Sequence, residues 1–453
     1  MSREDPLKPE KDFSATLDEQ FPLIEKVKDY REATDKYLVL EKQTRQSSDL
    51  ASSKRVLLKI VDTLTKNNDW NYLNELIVSL CKKHGQLKSS IQTFIDSVIG
   101  HLGELNEDDP KQLELKMKII ETVRTVTDKK IFVEVERAIV SKTLSEIYLN
   151  KFDNLDKAAE ILCDLPVETY SLMEFSTKIE YILEQIRLTI KKGDYPQAKI
   201  LSRKILLKSL KNFDRADEFK AIYLKYLIEI SVFDDDYISI VKNSLLLIEI
   251  PLIKESLDYS NYLVSIIYYI VLSPYDNYQN DLINKIKRNP VFKKNVDLKI
   301  FQLLEIFTTN ELIHWSNIES LYKDDYFSKS EIFKKEVNYK NLQKRIVEHN
   351  LRIVNKYYQL ITLDRLAYLL QLSEADAEHN VSDLVNKGMI AAKIDRPQGI
   401  IKFEKLNKSG KADSVNDLLN DWCYDVEKLL EEIDSIDHLI NKEEMMYGIK
   451  QVS

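Results

Sequence analysis

Metal-assisted hydrolysis, thiol chemistry and carboxylate acid–base work each need particular side chains at particular spacings, and this chain offers six histidines, three cysteines and 74 acidic residues to search. His84, His101, His314, His349, His379 and His438 form no His-x-His or His-Glu-x-x-His pair, so no ligand set for a hydrolytic metal stands out. His349 falls on an apolar helical stripe, where a hydrogen-bonded core imidazole is a plainer reading than a catalytic base. Cys81 and Cys163 lie in apolar helical surroundings and read as small hydrophobes rather than activated thiolates. With Cys423 they are odd in number and contain no Cys-x-x-Cys, which disfavours a disulfide framework or a zinc site and fits a reducing compartment. The carboxylate pairs Glu134 with Glu136 and Glu431 with Glu432 read most simply as solvated helix surface. No G-x-x-x-x-G-K-S/T, G-x-G-x-x-G or G-x-S-x-G string occurs among the eight scattered glycines, so neither a phosphate cradle nor a nucleophile elbow is in view. The expectation is a protein that is not an enzyme and holds no cofactor and no metal.

Composition points from chemistry to binding. The 453 residues are 44% apolar and 31% charged, with only 8 Gly and 10 Pro, which leaves long helices as the economical fold. A net charge of −8 opposes sequence-independent attraction to DNA or an anionic membrane, so partners are expected to be proteins. The stretch Met1 to Asp12 is charged, and Ser2 follows Met1, so neither a secretion nor a myristoylation signal is expected. The most apolar stretch, Tyr262 to Leu272, is about half a bilayer span and ends at Ser273-Pro274; it reads as a buried helix.

Four regions follow from the periodicity. Residues 1–46 read as a polar segment and a first helix, and 47–307 as helices with one wet face each. Leu73, Leu76, Ile77 and Leu80 make one stripe; Leu87, Ile91, Phe94, Val98 and Leu102 make the next after His84-Gly85. Turn signals at Asn68-Asp69-Trp70, Phe152-Asp153-Asn154, Gly193-Asp194-Tyr195-Pro196 and Asp235-Asp236-Tyr237 place aspartates 84, 41 and 42 residues apart, with Asp109-Pro110 inside the long gap. A period near 42 implies an α-solenoid of degenerate helical hairpins, with each aspartate capping a helix start.

From 308 to 405 the pattern becomes a winged helix. Leu342, Ile346, His349, Ile353 and Tyr357 mark a long helix, and Leu363, Leu366, Leu369 and Leu370 a short one. Ser373 caps a third, running to Lys387 and stopped by Gly388. Strands are expected over Met389 to Ile394 and Ile400 to Phe403, with Ile390, Ala392, Ile394, Ile401 and Phe403 alternating to one face. These five residues are expected to form the ribbon interface, the ribbon's open edge pairing with another chain's ribbon. Lys393, Arg396, Lys402, Lys405 and Lys408 keep a nucleic-acid role in play, but the helix that would enter the major groove carries Glu374, Asp376, Glu378 and Asp383.

After a linker at 406–413, residues 414–449 form a last helix whose apolar positions are Val415, Leu419, Trp422, Val426, Leu429, Ile433, Ile436 and Ile440. Alternating steps of four and three make a heptad seam. Each such side chain gains about 1.5–3 kcal/mol on burial, so the seam calls for a partner helix or for the chain's own solenoid.

A helical-repeat array capped by a winged helix resembles the PCI family, found in the proteasome lid, the signalosome and translation initiation factor three. Ser48-Asp49-Leu50-Ala51-Ser52-Ser53-Lys54, Lys83-His84-Gly85-Gln86-Leu87, Lys130 to Ala138, Leu272-Ser273-Pro274-Tyr275 and Glu348-His349-Asn350-Leu351-Arg352 are similar to stretches of a lid member of that family. The likeness runs to Ile440-Asn441-Lys442-Glu443-Glu444 and is weakest around Tyr322 to Lys340. It implies a non-catalytic scaffold in the cytoplasm and nucleus, within a hetero-oligomer that degrades ubiquitinated proteins. Implied neighbours are other PCI lid subunits, the lid's metal-dependent deubiquitinase, and the ATPase ring or core particle, with no direct contact to nucleic acid or membrane. An equivalent place in a signalosome is the alternative.

Overall fold

A computed structural model describes residues 13–27, 29–83, 85–103, 105, 109–210, 215–404 and 412–452, and all that follows concerns these. Contacts divide the chain into two compact units, Met1–Phe219 and Lys220–Ser453. The architecture is an α-solenoid of helical hairpins, then a winged helix with a small sheet, then a long terminal helix.

In the first unit, amphipathic helices stack so that each packs on its neighbour and on the next but one. Leu50–Lys66 touches both Tyr30–Gln46 and Lys88–Leu102, and Trp70–Lys82 touches Pro110–Thr127. The stripes expected at Leu73, Leu76, Ile77 and Leu80 and at Leu87, Ile91, Phe94, Val98 and Leu102 are all buried. The segment before 47 holds two helices, Ser14–Ile24 and Tyr30–Gln46, where the sequence suggested one; the first is tied down by the Phe13 N–H donating to Asp49 Oδ2 at 3.0 Å.

Among the described residues, five turns share one construction. Ser48, Asn68, Asp153, Gly193 and Asp235 adopt left-handed backbone, with φ of 56°, 54°, 48°, 85° and 54°. The next residue in each, Asp49, Asp69, Asn154, Asp194 or Asp236, caps the following helix with its side-chain oxygen. The same residue donates its own N–H back to a carbonyl of the preceding helix, at Thr44, Leu64, Tyr148, Thr189 or Ser231. One residue therefore closes one helix and opens the next. The cap expected at Asp153 belongs to Asn154; Asp153 takes the left-handed position, which short polar side chains tolerate. Asp109 stands at its helix start without a side-chain cap bond, and Pro110 occupies the first turn, where no amide donor is missed.

In the second unit, Tyr259–Leu272 is the buried apolar helix, packed on Tyr237–Ile248, Leu298–Thr308 and Glu336–Tyr357. The stretch near Tyr322 contains a single wide turn, Lys323–Phe327, whose Phe327 stacks on Tyr322 and meets Phe333, while Phe333 meets Tyr268 edge-on. The winged helix comprises Glu336–Tyr357, Leu363–Leu370 and Glu374–Asn386, with Ser373 capping the last and Gly388 ending it at φ 70°.

Its sheet has three strands, not two: β1 (Leu360–Thr362), β2 (Ala391–Asp395) and β3 (Ile400–Glu404), in the order β1-β3-β2, all antiparallel. Ile361 pairs with Ile401, and Ile394 with the same Ile401 across the other ladder. β1 was not visible in the sequence because three residues with a single buried side chain carry no alternation to detect. It covers one edge of β3 and leaves β2 at the sheet's margin.

Candidate interaction surfaces

Of the residues capable of chemistry, His349 and Cys81 are buried, whereas Cys423, His379 and His438 are exposed. His349 is buried, with Nε2 3.3 Å from the Glu311 carbonyl, Nδ1 3.3 Å from Arg352 and its ring 5.7 Å from that of Phe307. Burial, helped by the Arg352 charge, lowers its pKa to about 4, so it is a neutral core imidazole. Burial raises the Cys81 thiol to about 11 and pushes Cys163 upward, which suppresses both thiolates. Glu431 and Glu432 are exposed, as expected, but Glu136 is not: it is buried and accepts from Gln92 Nε2 at 2.9 Å, and burial raises the carboxyl pKa of Glu134. No group of three or more His, Cys, Asp or Glu is placed to hold a metal among the described residues.

The motifs that carried the family resemblance turn out to be mutual locks, which spacing alone did not reveal. Lys83 and Gln86 reach back to the buried Glu41 at 3.2 and 2.7 Å, and Arg45 joins at 3.0 Å. Asn350 holds both backbone groups of Ile313, accepting its N–H and donating to its carbonyl at 2.8 Å each. Arg352 stacks over Tyr275 at 3.5 Å, joining two of the quoted motifs. Glu348, buried, pairs with Arg345 and with Lys387 at 3.3 Å, fastening the end of the third winged-helix helix to the long one. Partners of this kind offset the cost of burying a carboxylate or amide.

The ribbon residues face inward. Ile390, Ile401 and Phe403 are buried, and Ala392 and Ile394 pack half-buried against the same core with Leu366, Val381 and Leu384. What a neighbouring ribbon would meet is the backbone edge of β2 and the outward Lys393 and Lys402, which lie opposite each other. Arg396 is engaged by Glu378 at 2.6 Å, so part of the wing's positive charge is spent inside the domain, and Lys405 and Lys408 lie outside the described residues. The helix Glu374–Asn386 presents an acidic first turn through Glu374 and Asp376, which repels a phosphate backbone.

The terminal helix, Ala412–Val452, has 41 residues and is about 60 Å long at 1.5 Å per residue. The linker expected at 406–413 falls largely outside the described residues, as does the Val415 side chain. Leu419, Trp422, Val426, Leu429, Ile433, Ile436 and Ile440 are all exposed, from 36% at Val426 to 64% at Trp422. Leu430, Leu439 and Met445 extend the apolar surface. Within its own unit this stripe is exposed.

Comparison with known proteins agrees with this layout. A family described as PSMD12/CSN4, N-terminal, matches residues 32–256, the PCI domain matches 309–405, and the 26S proteasome regulatory subunit RPN5 C-terminal domain matches 416–448. The chain is 46% identical to the 26S proteasome regulatory subunit RPN5 of Saccharomyces cerevisiae, over 99% of this chain and 100% of that one. It is 36% identical to the 26S proteasome regulatory subunit rpn501 of Schizosaccharomyces pombe, over 98% of each. It is likewise 36% identical to the 26S proteasome non-ATPase regulatory subunit 12 of Dictyostelium discoideum, over 92% of this chain and 90% of that one. The three matched domains follow one another along the chain, and with the near-full-length identity to RPN5 they show that the chain belongs to the RPN5/PSMD12 family of 26S proteasome regulatory subunits.

Proposed function

We propose that this chain is a non-catalytic scaffold subunit of the proteasome regulatory-particle lid, supporting ATP-dependent degradation of ubiquitinated proteins. The observation that carries the reading is the exposed heptad stripe from Leu419 to Ile440, which needs a foreign helix to leave water. A second contact is the open edge of β2, where backbone amides and carbonyls can extend the sheet into a neighbouring PCI subunit. The family models support the lid over a signalosome: the N-terminal description pairs PSMD12 with CSN4, while the C-terminal one names RPN5. Neighbours in this reading are other PCI lid subunits and the deubiquitinase subunit, with the ATPase ring or core particle beyond, in cytoplasm and nucleus. The domain limits adopted are 47–307, 308–405 and 414–449.

The test is incorporation. Trp422→Glu, Val426→Glu and Leu429→Glu together place three carboxylates on the stripe, where they cost the free chain little because these positions are exposed. The expected outcome is an unchanged melting temperature with loss of the subunit from its complex in native mass measurement. Normal incorporation of the triple variant would sink the reading.

A further inference from the structure

Among the described residues, the terminal helix meets the helix Asn277–Arg288 through a polar contact. Lys285 and Arg288, in the last turn of the helix Asn277–Arg288, meet three positions on it. Lys285 Nζ lies 3.1 Å from Glu427 Oε1, Arg288 Nη1 donates to the Asn420 carbonyl at 2.8 Å, and the Arg288 guanidinium sits 5.3 Å from the centroid of Tyr424. Residues 420, 424 and 427 follow i, i+4, i+7 spacing and so share one face of the helix; at 100° per residue that face is roughly opposite the apolar stripe. The contact therefore orients the helix with its apolar side away from the body. It is also weak in kind. Lys285 and Glu427 are more than half exposed, and Asn420 Nδ2 is enclosed without an acceptor among the described residues. An enclosed, unsatisfied amide opposes docking.

We propose that Lys285 and Arg288 form a salt-sensitive latch that holds the terminal helix in one orientation before any partner arrives, and that the helix exchanges between latched and free positions. Exposed ion pairs and cation–π contacts are individually small, so removing Arg288 lowers the latched-to-free ratio roughly tenfold, not absolutely. The latch is a property of the isolated chain and does not rest on the proposed lid function.

Spin labels at Asp281→Cys and Asp434→Cys, in the full chain carrying Cys163→Ser and Cys423→Ser, report the distance between the two helices; Cys81 is buried. The expected result is a narrow distance peak at low salt. It broadens toward longer distances in 1 M salt, in Arg288→Ala and in Lys285→Glu, with helix content unchanged by circular dichroism. Adding Glu427→Lys to Lys285→Glu restores the narrow peak. A distribution identical in the parent chain and in Lys285→Glu at every salt concentration would overturn the latch, as would failure of the charge swap to recover the docked population.

Discussion

Protonating the buried His349 would put a cation beside Arg352, where the Glu311 carbonyl is the acceptor facing Nε2. As pH falls, the unfolded chain takes up that proton near 6.5, whereas the folded chain does so only near about 4. The unfolded state binds more protons in this window, so the contribution of His349 is complete above pH 6.5 and is lost on the way down to about pH 4. A shift of this size corresponds to about 3 kcal/mol. Urea unfolding at pH 7 and pH 5 should show the parent losing stability, with His349→Gln markedly less affected over the same interval. That His349 is a core histidine was legible from its stripe. The burial of Glu136 was not, because a carboxylate on a helix face reads as solvated until its Gln92 partner, from a helix more than 40 positions away, is brought to it.

Helices announced themselves through their stripes, and the aspartate turns through their recurrence; both signals are local. β1 escaped because its partner strand, not its own residues, makes it a strand. The position of the cap in the 153–154 turn escaped for a different reason: Asp and Asn are both good caps and both tolerate left-handed backbone, so identity alone does not assign the roles. The roles are separable by mutation. Asn154→Ala removes the bond to the Lys157 amide and should cost about 1 kcal/mol, whereas Asp153→Gly relieves the left-handed position and should be neutral or slightly stabilising. Chemical denaturation of the two variants checks this; equal losses would contradict the assignment.

Taken as a molecule, the chain leaves a long apolar stripe in water, and water is a poor cover for it. The free subunit is expected to self-associate through the terminal helix in a concentration-dependent way, since seven described seam positions from Leu419 to Ile440 can interdigitate with a second copy. Sedimentation velocity over a range of concentrations should show association in the parent and its loss in Trp422→Glu. An unchanged profile would place the sticky surface elsewhere.

The two-role residue at each tight turn has a consequence for how such chains drift over time. With the closing group of one helix serving as the opening group of the next, a junction holds little slack: the return bond spans five residues at four of the turns and six at the 153–154 turn. An added residue would swing the following helix by about 100° and carry its greasy side off the stack. Growth and shrinkage are thereby driven into helix bodies and looser connections such as the one between Cys163 and Phe175, so a ruler laid along the sequence finds unequal modules joined by nearly identical hinges.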